Sequence, residues 1–161
     1  MIEILTTGGT IDKIYFDAKS SFQVGESPIG ELLREANLTI EVSVREVLRK
    51  DSLEMDDADR KRIRQAVQES AYRQIVITHG TDTMVQTGRA LVGIKEKTIV
   101  LTGAMQPARF RATDALYNVA AALTAVQTLS PGVYLTMNGR IFDPQTTRKN
   151  VEKNCFEQDE T

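Results

Sequence analysis

Four short segments combine hydroxyls, a carboxylate and glycine at spacings that chemistry could use. They are Thr7-Gly8-Gly9-Thr10, Lys50-Asp51-Ser52, His79-Gly80-Thr81-Asp82-Thr83 and Thr102-Gly103-Ala104-Met105. Glycines in such places let the backbone turn tightly and bring N–H groups close to a ligand. The threonine and serine hydroxyls both donate and accept hydrogen bonds. A threonine hydroxyl becomes a nucleophile once a base removes its proton. A lysine or tyrosine with a shifted pKa can be that base, so histidine is not required. The single histidine, His79, is expected to hydrogen-bond locally, and Thr81 or Asp82 could cap a following helix. One Cys (Cys155), one His and no CxxC argue against a zinc site. Neither GxGxxG nor GxxxxGK[ST] occurs, which argues against a dinucleotide or P-loop site. No cofactor is expected.

The elements that must position these segments are strands and helices in alternation. Apolar runs at Ile2–Thr6, Thr39–Val44, Gln74–Thr78, Thr98–Leu101 and Val133–Met137 read as buried parallel strands. Helical patterns lie between them, at Pro28–Ala36, Asp56–Tyr72, Thr83–Lys95 and Ala112–Leu129. In the last, Leu116, Val119, Ala120, Leu123 and Val126 form one apolar stripe. This alternation predicts an α/β fold: a doubly wound, mainly parallel sheet with helices on both faces, in a flavodoxin-like three-layer sandwich. In such a sheet, ligands bind beyond the carboxyl ends of the strands. All four segments above follow predicted strands, the second at a short remove. The polar stretch 12–27, with Lys13, Tyr15 and Ser20-Ser21, fits no regular element and is expected to be a functional loop.

With 161 residues, 41% hydrophobic and 26% charged, the chain fits one domain with a real core. A net charge of −2 argues against a nucleic-acid binder that works by neutralising phosphates. The basic cluster Arg60-Lys61-Arg62 with Arg64 sits beside Asp56, Asp57 and Asp59 and reads as a solvated helix face. No apolar run approaches the ~18 residues of a membrane span, and the opening Met1-Ile2-Glu3-Ile4 lacks the pattern of a signal peptide. The expectation is no membrane association and a cytoplasmic location.

Taken in order along the chain, the segments resemble the motifs of the bacterial-type L-asparaginase family. Thr6-Thr7-Gly8-Gly9-Thr10-Ile11 and Ile77-Thr78-His79-Gly80-Thr81-Asp82-Thr83-Met84 resemble its pair of signature motifs. Thr102 to Pro107 resembles its third block, and Asp51-Ser52-Leu53-Glu54-Met55 its substrate-carboxylate segment. Ile141 to Asn150 resembles the stretch with its catalytic lysine. The resemblance implies hydrolysis of L-asparagine to aspartate and ammonia through a covalent acyl-enzyme, with Thr10 as nucleophile. It also implies a second catalytic group of Thr81, Asp82 and Lys149. Ser52 would bind the substrate's α-carboxylate and Asp82 its α-ammonium. Gly9, Asp51, Leu53, Gly80, Ala104 and Met105 would complete the substrate site, and backbone amides near Thr10 and Thr81 would hold the oxyanion.

Three departures from the family pattern shape the expectations. Phe22 stands where members often carry a loop tyrosine, leaving Tyr15 as the phenol that could assist Thr10. Leu53 stands where glutamine-using members often carry Gln, which predicts low activity on glutamine. The C-terminal domain of the family has no counterpart in these 161 residues. The expectation is a natural short form: one N-terminal-type catalytic domain, with a polar, solvent-exposed tail from Glu152. A homodimer or homotetramer would then help to cover the site. Two other readings compete. One is a binding or partner-docking module without turnover, which would have no need of Lys149. The other is an ammonia-supplying subunit of a tRNA-linked amidotransferase, which would need further domains.

Overall fold

Uninterrupted apolar runs build the centre of the sheet, and half-charged runs build its edge. In the computed structural model, which describes residues 1–16 and 20–159, strand β1 (Ile2–Gly8) lies between β4 (Val42–Lys50) and β5 (Gln74–Thr78). Beyond β5 come β6 (Thr98–Thr102), β7 (Gly132–Met137) and the short β8 (Arg140–Phe142), giving the order β4-β1-β5-β6-β7-β8. All neighbours are parallel except β7 and β8. Counting the parallel strands by sequence, the order is 2-1-3-4-5, the flavodoxin-like arrangement.

Successive strand residues face opposite sides, and each side has its own core. Leu5, Ile75, Ile77 and Leu101 pack under helices α2 (Asp57–Glu69) and α3 (Met84–Leu91). Ile4, Val76 and Val100 pack against α4 (Ala115–Thr128) and the buried Ile29 of α1 (Ile29–Glu35). A reciprocal capping box between Asp56 and Asp59 starts α2. Arg64 of α2 is not a free surface cation, because its guanidinium donates to the carbonyls of Ala90 and Val92 at the end of α3.

Several expectations are corrected. The second strand runs over 42–50, not 39–44, because Arg45, Glu46 and Arg49 continue an edge strand with one solvated face. Helix α3 stops at Leu91, ahead of Gly93 with its φ of +90°. On α4, Leu116 and Ala120 are exposed and Ala115, Asn118 and Ala122 are buried in their place, so the stripe is rotated. Much of the stretch 12–27 is a β-hairpin of β2 (Lys13–Phe16) and β3 (Ser21–Val24), with Tyr15 opposite Phe22. Its alternating aromatic and β-branched residues suit a pleated surface. Residues 17–19 of that stretch lie outside the described residues.

The polar stretch after Glu152 is not a free tail either. Strand β10 (Cys155–Gln158) pairs antiparallel with β9 (Thr147–Asn150), and Phe156 is only 2% exposed beside Phe142. The Phe156 N–H also donates to Asn138 Oδ1 at 2.8 Å, and Glu157 pairs with Arg148 of β9.

Candidate active site

The site forms where β1 and β5 lie side by side and their onward connections run to opposite sides of the sheet. That is the switch point at which such folds open a crevice. At the end of β1 the register shifts between Thr6 and Gly8, and Gly8 and Gly9 take φ of +97° and +91°. The Gly9 N–H donates to the carbonyl of Lys50 at 2.9 Å. A Cβ on Gly9 would fall on the backbone of Gly80, and a Cβ on Gly80 would strike the side chain of Ser52. Three strand-end segments therefore meet backbone to backbone, and glycine is what permits it. Thr10 follows at once, half-buried at the head of the short turn Thr10–Asp12.

Across that contact stands a tightly bonded group. The Lys149 ammonium donates to the Thr81 hydroxyl at 2.8 Å and to the Asp82 carboxylate at 2.7 Å. Its side chain is 13% exposed, while Thr81 is buried and Asp82 is open to solvent. Lys149 sits opposite the buried Phe156 across the β9–β10 ladder. Arg89 of α3 fastens the approach to β9 by donating to the carbonyls of Pro144 and Thr147.

His79 fixes the loop between β5 and Thr81. Its ring is buried between the Gly80 carbonyl, 2.7 Å from Nδ1, and the Thr87 hydroxyl, 2.8 Å from Nε2. A carbonyl can only accept, so Nδ1 carries the proton and Nε2 accepts from Thr87. Burial pushes its pKa down to about 4, keeping the ring neutral.

Ser52 has no exposed surface, and its Oγ has no hydrogen-bond partner among the described residues. A buried unpaired hydroxyl beside Gly80 is an acceptor and donor without an assigned task. Its carbonyl accepts from the Thr83 hydroxyl at 2.8 Å. Asp51 caps the Ser52–Glu54 turn through the Leu53 N–H and pairs with Lys13 of the hairpin at 3.0 Å. Partial burial would raise the Asp51 pKa, but the bonds from Leu53 N–H and Lys13 outweigh it and hold the carboxyl below its usual range.

Two expected site residues stand at the rim. Leu53 is 73% exposed, and Tyr15 is 53% exposed with its ring edge-on to Phe22 at 5.4 Å. Phe22 in turn meets Phe110 at 5.6 Å. Ala104 is buried and Met105 half-buried. Residues the sequence reading missed hold this last loop. The Asp114 carboxylate accepts from the Met105 and Gln106 N–H groups, and Asn118 donates to the Gly103 carbonyl and to Asp114. The spacing of Asp114 and Asn118, one helical turn apart at the start of α4, was a usable signal.

The arrangement supplies a half-buried hydroxyl, an ammonium-bonded second hydroxyl, a carboxylate and an unpaired serine around one crevice. Among the described residues no three His, Cys, Asp or Glu side chains converge to hold a metal ion. No helix among them is long and apolar enough to cross a membrane.

Comparison with known proteins gives a consistent answer. A family model described as "Asparaginase, N-terminal" matches residues 1–159. The chain is 30% identical to a probable periplasmic L-asparaginase of Haemophilus influenzae, over 92% of this chain and 46% of that protein. It is 27% identical to a glutaminase-asparaginase of Acinetobacter glutaminasificans, over 93% of this chain and 50% of that one. The solved thermostable L-asparaginase of Thermococcus kodakarensis superposes with a TM-score of 0.83 at 29% identity, covering 98% of this chain and 50% of that one. The chain spans about half the length of each of these relatives.

Proposed function

The chain belongs to the asparaginase family, and we propose that it hydrolyses L-asparagine to L-aspartate and ammonia with Thr10 as the nucleophile. The observation that carries this reading is the Lys149 ammonium bonded to both Thr81 and Asp82 beside the Gly9–Gly80 contact. A domain that only binds an amino acid has no use for a half-buried lysine holding a threonine hydroxyl.

In this reading Thr10 Oγ attacks the amide carbon as its proton passes to a base, for which Tyr15 is the hairpin's candidate. The amide oxygen becomes an oxyanion and is met by backbone N–H groups near Thr10 and Thr81. One such donor is worth roughly 2.7–4 kcal/mol to the transition state. The C–N bond then breaks, the nitrogen takes a proton and ammonia leaves, with aspartate held as an ester on Thr10. Water, positioned by Thr81 and Lys149, cleaves that ester and restores the hydroxyl. The unpaired Ser52 Oγ supports a site for the α-carboxylate, which would supply its missing partner. One Asp82 oxygen is bonded to Lys149, and the other is available to the α-ammonium.

The site's openness adds two parts to the reading. A homodimer or homotetramer covers the crevice, since charge stabilisation weakens where water enters. Asparagine is preferred over glutamine because the exposed Leu53 offers no amide to the longer substrate. Asparagine should exceed glutamine at least ~100-fold in kcat/KM, near the upper end of what one methylene allows. The test is ammonia release from both amides by wild type and Thr10→Ala. Substantial turnover on asparagine that Thr10→Ala abolishes supports the reading. Activity within a few fold of wild type in that variant removes Thr10 from the role.

A further inference from the structure

Two residues beyond Thr10, a carboxyl group is sealed inside the protein without any task in the chemistry above. Asp12 is 2% exposed. Its Oδ1 accepts from the Ser27 hydroxyl at 2.6 Å, and its main-chain carbonyl accepts from the Gly25 N–H at 2.9 Å. Its own N–H donates to the Gly9 carbonyl at 3.1 Å. The turn that begins at Thr10 thus holds, through one residue, both the glycine that precedes it and the strand end returning from the β2–β3 hairpin. Gly25 has no room for a side chain there, since a Cβ would press into Ile14 of β2.

We propose that Asp12 is a positioning residue, which fastens the β2–β3 hairpin and its Tyr15 to the turn that carries Thr10. The catalytic part of this rests on the reading of Thr10 given above; the fastening does not. Lys13 and Asp51 add a second, surface tie between the hairpin and the Ser52 turn.

The carboxyl gives the fastening a pH signature. Burial pushes its pKa up to about 7, against the lowering hydrogen bonds from Ser27 and the Gly8 backbone. From β4, Glu46 raises it and Arg49 lowers it. Those two form an ion pair at 2.7 Å, so their charges oppose each other at Asp12, and Glu26 also acts on Arg49. Lifting the hairpin would return Asp12 to water and to a carboxyl pKa near 3.9. The closed hairpin therefore binds the proton more tightly than the open one. Opening becomes easier as pH rises from about 4 to about 7, by up to tenfold per unit, and levels off above.

The test is amide hydrogen exchange of Gly25 and the hairpin between pH 5 and 8, corrected for the intrinsic rate, in wild type, Asp12→Asn and Ser27→Ala. Wild-type protection should fall steeply up to about pH 7 and then flatten, while β5 and β6 amides stay protected. Asp12→Asn should remove the slope. Ser27→Ala should lower protection and carry the slope above pH 7, because a bond that held the pKa down is lost. On asparagine, Asp12→Asn should lower kcat about tenfold or more with KM changed less than about threefold, as expected when positioning alone suffers. A wild-type slope retained in Asp12→Asn, or hairpin exchange independent of pH in wild type, overturns the proposal. So does an unchanged kcat in an active protein. If wild type does not hydrolyse asparagine, the reading of Thr10 falls and the exchange arm alone decides the fastening.

Discussion

The two halves of the crevice are built by opposite means. On the β5 side, Thr81, Asp82 and Lys149 form a bonded group, backed by His79, Thr87, Arg89 and Phe156. On the β1 side, Thr10 stands half-buried, followed by a hairpin whose aromatic residues Tyr15, Phe16 and Phe22 are exposed. Its ties are the Asp12–Ser27 bond, the Gly25 N–H, the Lys13–Asp51 pair and the Phe22–Phe110 ring contact. Fixed dipoles serve chemistry best where nothing has to move. A substrate must also enter and leave, and segments that open come from the weakly tied parts of a fold. In the proposed reading, preorganisation falls to the first half and access to the second.

The largest effect should come from breaking the rigid half at its centre. Lys149→Met leaves Asp82 without its ammonium and Thr81 without its donor. Turnover of asparagine should fall at least ~10³-fold, the loss being in kcat, as for a group that acts in the transition state. Ammonia release under saturating asparagine measures it. A fall of less than tenfold would move the chemistry wholly to the hairpin side.

A smaller effect is expected on the hairpin side. Tyr15→Phe keeps the ring that meets Phe22 edge-on and removes only the hydroxyl. If that hydroxyl serves Thr10, kcat should fall by ~10²-fold, the low end of general-base contributions. Full kcat at neutral pH would leave Lys149 as the remaining candidate base.

The same contrast explains what the sequence disclosed. Strands β1, β5, β6 and β7 are covered on both faces, so their apolar runs were plain. Strand β4 and the hairpin keep one face in water, so the charged half of β4 beyond Val44 was missed and the hairpin's alternation read as loop. The glycine-threonine ends of β1 and β5 were visible because φ above zero and close approach demand glycine. Lys149 drew notice through the family resemblance; beside Arg148 and Lys153 it has the look of a surface charge. Asp12 drew none, because its environment is made by Ser27, fifteen residues on, and by β4. A pKa belongs to a fold, and residue order alone does not state it. The tail deceived because its one large apolar residue, Phe156, and its pairing with β9 are set by contacts that its polar composition does not announce.

The smallest effect is on stability, and there the two halves act with opposite signs. His79 is the chain's one histidine, and burial lowers its pKa to about 4 from an unfolded value near 6.5. Between those values the unfolded chain binds the extra proton, so this site adds stability as pH rises. Asp12 is the reverse, raised to about 7 from near 3.9. The folded chain holds its proton across most of the same window, so that site subtracts stability as pH rises. Each slope approaches 1.4 kcal/mol per unit, and between pH 5 and 6 they nearly cancel. The ion-paired carboxylates Asp51, Asp59 and Glu157, held below their usual range, are already charged there. Urea unfolding of wild type should therefore change little between pH 5 and 6. In Asp12→Asn the His79 slope stands alone, and stability should rise by about 1 kcal/mol over that unit. The hairpin, which His79 does not touch, should meanwhile lose its own pH dependence in exchange. A global slope with local flatness in one variant, against the opposite pair in wild type, would separate the His79 side of the crevice from the hairpin side. Equal global slopes in the two proteins would mean that Asp12 is not the buried acid its surroundings make it.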